Sequence, residues 1–169
     1  MTRWFDVFET PEGWAGYVVT GRGVRSGTLP QPSPEACILE LGNELDGAVR
    51  SPRKLASLRD KVLRFLQGEP VDFSRVRLDI ADAGPFHQAA WNATRTIPRG
   101  ETRSYLWLAE QAGRPRAPRA AGQAMARNRV PIIVPCHRVI ASDGSLGGYG
   151  GGPAGIALKR RLLIMEGAL

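Results

Sequence analysis

The order of the predicted secondary structure is what most constrains the fold of this 169-residue chain. Short runs of β-type residues come first, at residues 4–9, 15–20 and 24–29, and turns that contain glycine or proline separate them. Helical patterns dominate the second half. We therefore expect an α/β domain with a small β-sheet and helices over residues 1–82, and a mostly α-helical domain over residues 85–169.

The first half also contains two predicted helices and one further predicted strand. Residues 34–45 place apolar side chains, among them Cys37, at helical spacing. Residues 52–66 carry a leucine-rich stripe that predicts a second helix. The alternation of apolar and polar residues over residues 71–80 predicts a last strand. Cys37 is interpreted as a core residue, and no candidate site is found in this half.

The second half contains four helical patterns, two of which form a helix-turn-helix candidate. The patterns cover residues 86–96, 102–112, 118–128 and 156–165. A short turn with a glycine joins the second and third patterns, as in helix-turn-helix and winged-helix-like DNA-binding folds. An ordinary helical hairpin has the same pattern, and the sequence alone does not separate the two.

Positive charge is concentrated in the predicted helical domain. Residues 1–85 contain 11 Lys and Arg against 12 Asp and Glu, whereas residues 86–169 contain 12 against 4. The second half therefore carries a charge of +8 and the first half −1, which together give the net charge of +7. A basic module beside a near-neutral one indicates a polyanionic partner, most often nucleic acid, although arginine-rich surfaces also serve solubility alone.

The adjacent pair Cys136 and His137 is the candidate reactive centre. It follows the β-branched run 132–134, interpreted as a short strand, and precedes the glycine-rich segment 142–152. A cysteine beside a histidine, between a strand end and a flexible loop, is a common position for a nucleophile. The alternative is a small buried hydrophobic residue without chemistry. Neither a disulfide framework nor a zinc-ligand cluster is indicated.

The alanine-rich pattern 118–128 is the candidate DNA-contacting helix. Ala120, Ala121 and Gly122 present no long side chain, which suits close approach to a narrow minor groove. Arginines that can meet phosphates or enter the base stack lie close by: Arg114, Arg116 and Arg119. A tightly packed core helix is the alternative.

Several other classes of protein are disfavoured by the sequence. No run of about 18 apolar residues predicts a membrane span, and residues 1–20 lack the basic-then-apolar pattern of a signal peptide. The glycine-rich run 147–152 lacks the strand, helix and lysine of a phosphate-binding loop. Two isolated cysteines are most simply reduced thiols, so we expect a cytoplasmic protein.

The motifs of the second half resemble the O6-alkylguanine-DNA alkyltransferases, the methylated-DNA–protein-cysteine methyltransferases. The matching segments keep the order of that family over residues 85–168, and the first half matches only by position and expected α/β character. They are residues 97–105 (IPRGETRSY), 119–122 (RAAG), Asn128, 135–139 (PCHRV), 148–149 (GY), 162–163 (LL) and 166–167 (EG).

This resemblance implies direct repair of alkylated DNA. Cys136 would take the alkyl group from the O6 atom of guanine, with O4-alkylthymine as a second candidate substrate. Each molecule would act once, without a cofactor or a metal. The thiolate is the reactive form of cysteine, so the sulfur of Cys136 is expected to be poised as an anion.

The resemblance also assigns the groups around the nucleophile. His137 would act as the base through a bridging water, because neighbours in an extended segment point to opposite faces, and Glu166 would orient it. Tyr105 would help to rotate the nucleotide and would protonate the departing guanine. Asn128 would brace the turn before the nucleophile.

A DNA-contacting set and a base pocket follow from the same resemblance. Arg119 would fill the stack that an extrahelical base vacates. Flanking groups would contact the duplex: Ala120, Ala121, Gly122, Arg114, Arg116 and Arg138. The pocket would be lined by Tyr105, Met125, Val139, Tyr149 and Gly150. The expected partner is double-stranded DNA with O6-alkylguanine, bound by a monomer, and cooperative binding along DNA stays open.

Some features depart from the family pattern. Arg129 stands where the family usually has proline, and Trp107 is bulky for its place in the second of the four helical patterns. Residues 152–156 form a link to the last helix that looks longer than usual. In that helix Lys159 is expected to be exposed together with the two arginines that follow it.

Two alternatives to alkyl transfer stay open. A non-catalytic protein of the alkyltransferase-like type would bind alkylated DNA and recruit other factors. That type lacks the cysteine, however, and Cys136 is present here. A thiol hydrolase would need an oxyanion hole and a substrate cleft, of which the sequence gives no independent sign.

Overall fold

The computed structural model describes residues 1–150 and 152–169 and divides into two compact units. The first unit comprises Met1–Ile80 together with Arg129–Pro131, and the second comprises Ala81–Asn128 with Ile132–Leu169. The short excursion at Arg129–Pro131 has no counterpart in the predicted division. Gly151, part of the predicted glycine-rich run, lies outside the described residues.

A four-stranded sheet forms the centre of the first unit. Its strands are β1 (Trp4–Thr10), β2 (Gly13–Thr20), β3 (Gly23–Gly27) and β4 (Val49–Arg50). They lie in the order β3-β2-β1-β4, with β1 antiparallel to β2, β2 antiparallel to β3, and β1 parallel to β4. The central strand β2 is apolar and largely buried, so the sheet supplies the core of this unit.

Two helices accompany the sheet. Helix α1 (Pro34–Leu41) begins at Ser33, whose side chain caps the backbone N–H of Ala36 at 3.1 Å. It is shorter than predicted because Gly42, at φ 54°, ends it and a 3₁₀ turn follows. Helix α2 (Ala56–Leu66) buries its apolar stripe.

The predicted strand over residues 71–80 is wrong. Its residues are mostly irregular, with a turn at residues 74–75, and a single bridge joins Leu78 to Val24 of β3. The segment does not alternate as a strand would: Phe73, Asp79 and Ile80 are buried, whereas residues 74–78 between them reach solvent.

The second unit is mainly helical, in agreement with the predicted class. Its elements are α3 (Pro85–Thr94), β5 (Arg103–Ser104), α4 (Tyr105–Gln111), α5 (Pro118–Ala126), β6 (Val139–Ile140) and α6 (Gly152–Met165). Helices α3, α4 and α5 pack on one another. The indole N–H of Trp91 donates to the carbonyl of Ala124 at 2.8 Å and fixes α3 against α5.

The short parallel pair of β5 and β6 connects the start of α4 to the segment after Cys136. Arg103 pairs with Val139, and Ser104 pairs with Ile140. Ser104 is also the N-cap of α4, because its hydroxyl accepts from the N–H of Trp107 at 3.0 Å. Tyr105 is therefore fixed as the first residue of a helix beside the candidate nucleophile.

Two predictions about the segments flanking Cys136 are wrong. Residues 132–134 form no strand, because Ile132 has φ 75° and the chain turns there. Helix α6 begins at Gly152 rather than at residue 156, so the segment predicted to be a long link is its first turn. Within residues 1–150 and 152–169, no helix is long and apolar enough to cross a membrane.

Candidate active site

Cys136 opens a 3₁₀ turn, Cys136–Arg138, instead of ending an extended strand. The opposite-face geometry of an extended segment therefore does not apply to Cys136 and His137. Cys136 keeps 7% of its surface exposed, whereas His137 keeps none. The nucleophile lies just beneath the surface, with the histidine deeper in the same unit.

Glu166, the residue directly after α6, is hydrogen-bonded to His137 and fixes the orientation of its ring. Its Oε1 atom lies 2.9 Å from Nε2 of His137, and both side chains are fully buried. Arg138 also binds this carboxylate: its Nε lies 3.1 Å from Oε1 and 3.2 Å from Oε2, and its Nη2 donates to Oε2 as well. One carboxylate thus holds two consecutive residues of the 3₁₀ turn.

Burial leaves the histidine of this cluster neutral. Burial would raise the pKa of Glu166, but the hydrogen bonds and charges of His137 and Arg138 outweigh it and lower that pKa to about 2. Burial lowers the pKa of His137 below its ordinary 6.5, against the opposing effect of Glu166. At neutral pH an anionic carboxylate therefore holds a neutral imidazole, which is able to accept a proton.

Arg138 was expected to contact DNA, but its guanidinium is already bonded to groups within the protein. Its side chain is 11% exposed. Besides Glu166, its Nη1 donates to the carbonyl oxygen of Ile97 at 2.8 Å. A guanidinium with these partners has little left for a phosphate, so we assign Arg138 to holding Glu166.

The thiol of Cys136 is not an anion at rest. Burial raises its pKa, and this outweighs the hydrogen bonds from Asn128 and Tyr149 and the positive charge of Lys159, which all act in the opposite direction. The expectation of a preformed thiolate is therefore wrong, because the sulfur is too well removed from water. The groups that would stabilise the thiolate are nevertheless in place around it.

Lys159 is the group that the sequence did not reveal. It was expected on an exposed face of α6, but none of its surface is exposed. Its ammonium donates to the carbonyl oxygens of Val139 at 2.7 Å, Leu146 and Gly148 at 3.4 Å. Burial lowers its pKa to about 8, while the neighbouring Cys136 acts to raise it. A cation is thus fixed beside the nucleophile.

Two tyrosines flank this cation. The ammonium of Lys159 lies 5.8 Å from the ring centroid of Tyr105 and 6.0 Å from that of Tyr149. The Tyr149 ring also meets the His137 ring edge-on, with centroids 6.4 Å apart. The pKa of Tyr105 is raised by burial and by Cys136, so its hydroxyl keeps its proton at neutral pH.

The glycine-rich loop approaches Tyr105 closely. Gly147 has φ 71°, and a Cβ atom at this position would stand 2.8 Å from the Tyr105 hydroxyl oxygen. Only glycine fits both this backbone conformation and this space. Gly150, also at positive φ, is exposed and lies next to the buried Tyr149.

Three further predicted site residues are wholly or partly buried: Met125 and Val139 are buried, and Asn128 is half-buried. The Asn128 side-chain amide donates to the carbonyl of Val134 at 2.9 Å and so braces the turn before Cys136. Val139 is fully buried and offers its carbonyl to Lys159. The Met125 sulfur accepts from the hydroxyl of Thr94 at 3.5 Å, so this side chain packs toward α3.

Helix α5 presents only part of the predicted DNA-contacting set. Pro118 occupies the first helical turn, and Arg119 is exposed. Ala120 and Gly122 are half-buried, but Ala121 is fully buried and packs in the core of the unit. The expectation that Ala121 contacts DNA is therefore wrong. The other predicted arginines, Arg114 and Arg116, are exposed, and Arg114 lies over the Phe86 ring at 4.5 Å.

The arrangement fits nucleophilic attack by sulfur on a small electrophile. A thiol, a neutral base, an oriented carboxylate, a buried cation and a protonated phenol lie together in one unit. Among the residues that the structure describes, no cluster of His, Cys, Asp and Glu could hold a metal ion.

Comparison with known proteins gives the class to which this site belongs. Residues 85–168 match the family described as 6-O-methylguanine DNA methyltransferase, DNA binding domain. A methylated-DNA–protein-cysteine methyltransferase of Mycolicibacterium paratuberculosis is 42% identical over 120 residues, which cover 71% of this chain and 70% of that protein. The chain belongs to the methylated-DNA–protein-cysteine methyltransferase family.

The similarity extends to the first unit and to the fold. The crystal structure of Mycobacterium tuberculosis OGT in complex with DNA matches with a TM-score of 0.80 and 34% identity, covering 99% of this chain and 94% of that one. A methylated-DNA–protein-cysteine methyltransferase of Methanothermobacter thermautotrophicus is 42% identical over 116 residues, 69% of this chain. That alignment spans 63% of the relative's length, less than two thirds.

Proposed function

We propose that the protein repairs DNA by transferring an alkyl group from O6-alkylguanine to Cys136. One observation carries this proposal: a thiol that keeps 7% of its residue's surface exposed lies in the same cluster as a neutral His137 that Glu166 holds at 2.9 Å. The family membership of the chain supports the same reaction. O4-alkylthymine, whose alkyl carbon is activated in the same way, is the second substrate to examine.

The reaction forms one bond and breaks one. The Cys136 sulfur attacks the alkyl carbon, the new S–C bond forms, and the C–O6 bond breaks. The thiol proton passes to His137, and the departing guanine takes a proton from Tyr105. The proton held by His137 then replaces the one that Tyr105 gave, so both residues return to their starting states. The products are S-alkylcysteine and an unmodified guanine, so the atoms balance and no cofactor is needed. Because the thioether is stable, each molecule acts once.

Lys159 and Asn128 lower the barrier to this step. The thiol is neutral at rest, so negative charge develops on sulfur only as the proton leaves. A fixed cation and a positioned amide donor are already oriented toward that charge. The site is therefore preorganised for the thiolate without holding one permanently.

DNA binding is assigned to α4 and α5 as a helix-turn-helix. Arg119 is exposed at the start of α5, and the half-buried Ala120 and Gly122 allow close approach of a duplex to this helix. The O6 atom lies on the paired edge of guanine, so the base must leave the stack, which costs a few kcal/mol. The family resemblance and the exposure of Arg119 support the proposal that its side chain occupies the vacated space.

A mass measurement tests the transfer. Incubation with a duplex that contains O6-methylguanine should add one methyl group to the peptide with Cys136, and Cys136→Ser should show no adduct while it still binds the duplex. The absence of any adduct with excess substrate would leave the alternative, a non-catalytic protein that binds alkylated DNA. In that case wild type and Cys136→Ser would behave alike in every assay.

A further inference from the structure

The three residues after Asn128 belong to the first unit, although the residues on both sides belong to the second. The chain contributes Arg129–Pro131 to the first unit and returns at Ile132, four residues before the nucleophile. Three hydrogen bonds hold these residues in the first unit. We name these bonds the clasp.

The clasp joins three parts of the first unit to the excursion. The hydroxyl of Tyr17 in β2 donates to the carbonyl oxygen of Pro131 at 3.0 Å. The N–H of Gly27, at the end of β3, donates to the carbonyl oxygen of Arg129 at 2.7 Å. The Nη2 atom of Arg129 donates to the carbonyl oxygen of Asp79 at 3.2 Å.

The side chain of Tyr17 is buried in the first unit, and its hydroxyl points to the carbonyl oxygen of Pro131. None of its surface is exposed, and its ring passes over the bare Cα of Gly27. A Cβ atom on Gly27 would stand 2.3 Å from this ring, so a side chain there would displace it. A tyrosine is not needed merely to fill this core position, because a phenylalanine would bury the same ring.

Ile132, directly after the clasp, has an unfavourable backbone conformation. Its φ is 75°, and it is the one non-glycine residue with positive φ in the described part of the chain. A β-branched side chain strains the left-handed conformation, which persists only where the surroundings hold it. The clasp holds the chain immediately before Ile132.

The loop from Asn128 to Val134 contains the clasp residues and leads directly to the nucleophile, Cys136. The Asn128 amide bonds to the Val134 carbonyl at 2.9 Å and closes the loop at its base. The same amide reaches the sulfur of Cys136. The loop is thus fixed at its tip by the clasp and at its base by the residue that contacts the nucleophile.

We propose that the first unit positions the nucleophile through the clasp, and that Tyr17 and Arg129 are positioning residues for alkyl transfer. This inference rests on the proposed function. Loss of a clasp bond lets Ile132 relax toward negative φ, which loosens the Asn128 brace and the Cys136 sulfur. Arg129 strengthens the clasp in this chain, since a proline at its position would lack the guanidinium.

Tyr17→Phe and Arg129→Ala test the clasp against a matched control. Thr28→Val also removes a buried hydroxyl from the first unit, one that accepts from the Gly16 N–H at 3.1 Å, and it leaves the clasp intact. For each variant, the single-turnover transfer rate at saturating O6-methylguanine duplex, the Kd for unmodified duplex and amide hydrogen exchange at Ile132 and Ile133 are measured.

We expect Tyr17→Phe to slow transfer by roughly 5-fold, the effect of one lost hydrogen bond between neutral groups, with an unchanged Kd and faster exchange at both amides. Arg129 is only half-buried, so Arg129→Ala should fold normally and show the same pattern. If neither variant exceeds Thr28→Val in rate loss or in exchange at these amides, the inference is overturned. If wild type itself transfers nothing, the proposed function fails instead.

Discussion

The ammonium nitrogen of Lys159 lies 2.7 Å from the carbonyl oxygen of Val139, three residues beyond the nucleophile. Together with the carbonyls of Leu146 and Gly148, this bond fixes a charged lysine in the interior of the second unit. A buried ammonium is unfavourable unless its donors are satisfied and its charge is used. Here the hydrogen bonds satisfy the donors, and the charge acts on the Cys136 thiol.

Lys159→Met should slow alkyl transfer by about tenfold or more, the effect of losing roughly 1.4 kcal/mol of stabilisation of the developing thiolate. The reason is that the positive charge of Lys159 lowers the pKa of Cys136, which burial has already raised. Single-turnover rates on an O6-methylguanine duplex measure this loss. Arg160→Met is the matched control, because Arg160 is the exposed next residue of α6. Equal rates for the two variants would contradict the role of the charge.

The transfer rate should be constant from about pH 6.5 to pH 7 and should decrease as the pH rises through about 8. Burial keeps the pKa of His137 below 6.5, so the base stays neutral across this range. The pKa of Lys159 is about 8, so its positive charge is lost as the pH rises through that value. A pH–rate profile of Lys159→Met should be lower and lack the decrease near pH 8. A wild-type rate that keeps rising through pH 9 would argue for a simple thiolate titration.

Glu166 should make the stability of the protein sensitive to acid. Its pKa is about 2 in the folded protein against an ordinary value of 4.5. Between these values the unfolded chain binds the proton first, so the contribution of Glu166 is complete above pH 4.5 and is lost as the pH falls toward 2. The shift corresponds to about 3 kcal/mol.

Glu166→Gln isolates this contribution. The variant should be less stable at pH 7 by about 3 kcal/mol, because it leaves the guanidinium of Arg138 without its carboxylate. The difference from wild type should shrink as the pH falls below 4.5. Urea unfolding at pH 7, 4.5 and 3 measures both effects, and a difference that is independent of pH would show that Glu166 is not ionised in the folded state.

Gly147→Ala should slow transfer by about 10- to 100-fold, the range expected when reacting groups move by about 1 Å. The new methyl group would stand 2.8 Å from the Tyr105 hydroxyl oxygen, on a backbone at φ 71°. Either the loop or the tyrosine must move. Gly148→Ala is the control in the same loop, because nothing lies within 4 Å of its Cβ position. Similar rates for the two variants would exclude a role for this close approach.

The helices next to the site could be predicted because their limits are local signals. Ser104 caps α4, Gly113 at φ 91° ends its last turn, and Pro118 occupies the first turn of α5. Each residue acts within one turn of its own position, so the sequence pattern is sufficient. The motif around Cys136 was recognised for the same reason, as a contiguous string of residues.

The burial of Lys159 could not be predicted in this way. Its partners are backbone carbonyls 11 to 20 residues away, at Val139, Leu146 and Gly148. Backbone groups leave no side-chain signature, and a lysine before two arginines is typical of a solvated face. The left-handed turn at Ile132 was missed similarly, because a β-branched run favours a strand unless long-range contacts impose another conformation.

Arg119→Ala should slow repair of duplex DNA much more than reaction with the free base O6-methylguanine. The exposed guanidinium at the start of α5 is proposed to fill the stack after the base leaves, and a free base needs no such step. Unpairing costs a few kcal/mol, so we expect a loss of about 10- to 100-fold on duplex and less than about 2-fold on free base.

Arg127→Ala is the control for this prediction. Arg127 is exposed at the other end of α5, where it ends the helix, and it carries the same charge. If Arg119 acted only through its charge on the phosphate backbone, both variants would weaken duplex binding alike and would share the same change in salt dependence. If Arg119→Ala slowed the reaction equally on duplex and on free base, Arg119 would act by supporting the nucleophile. The stack-filling role would then be rejected.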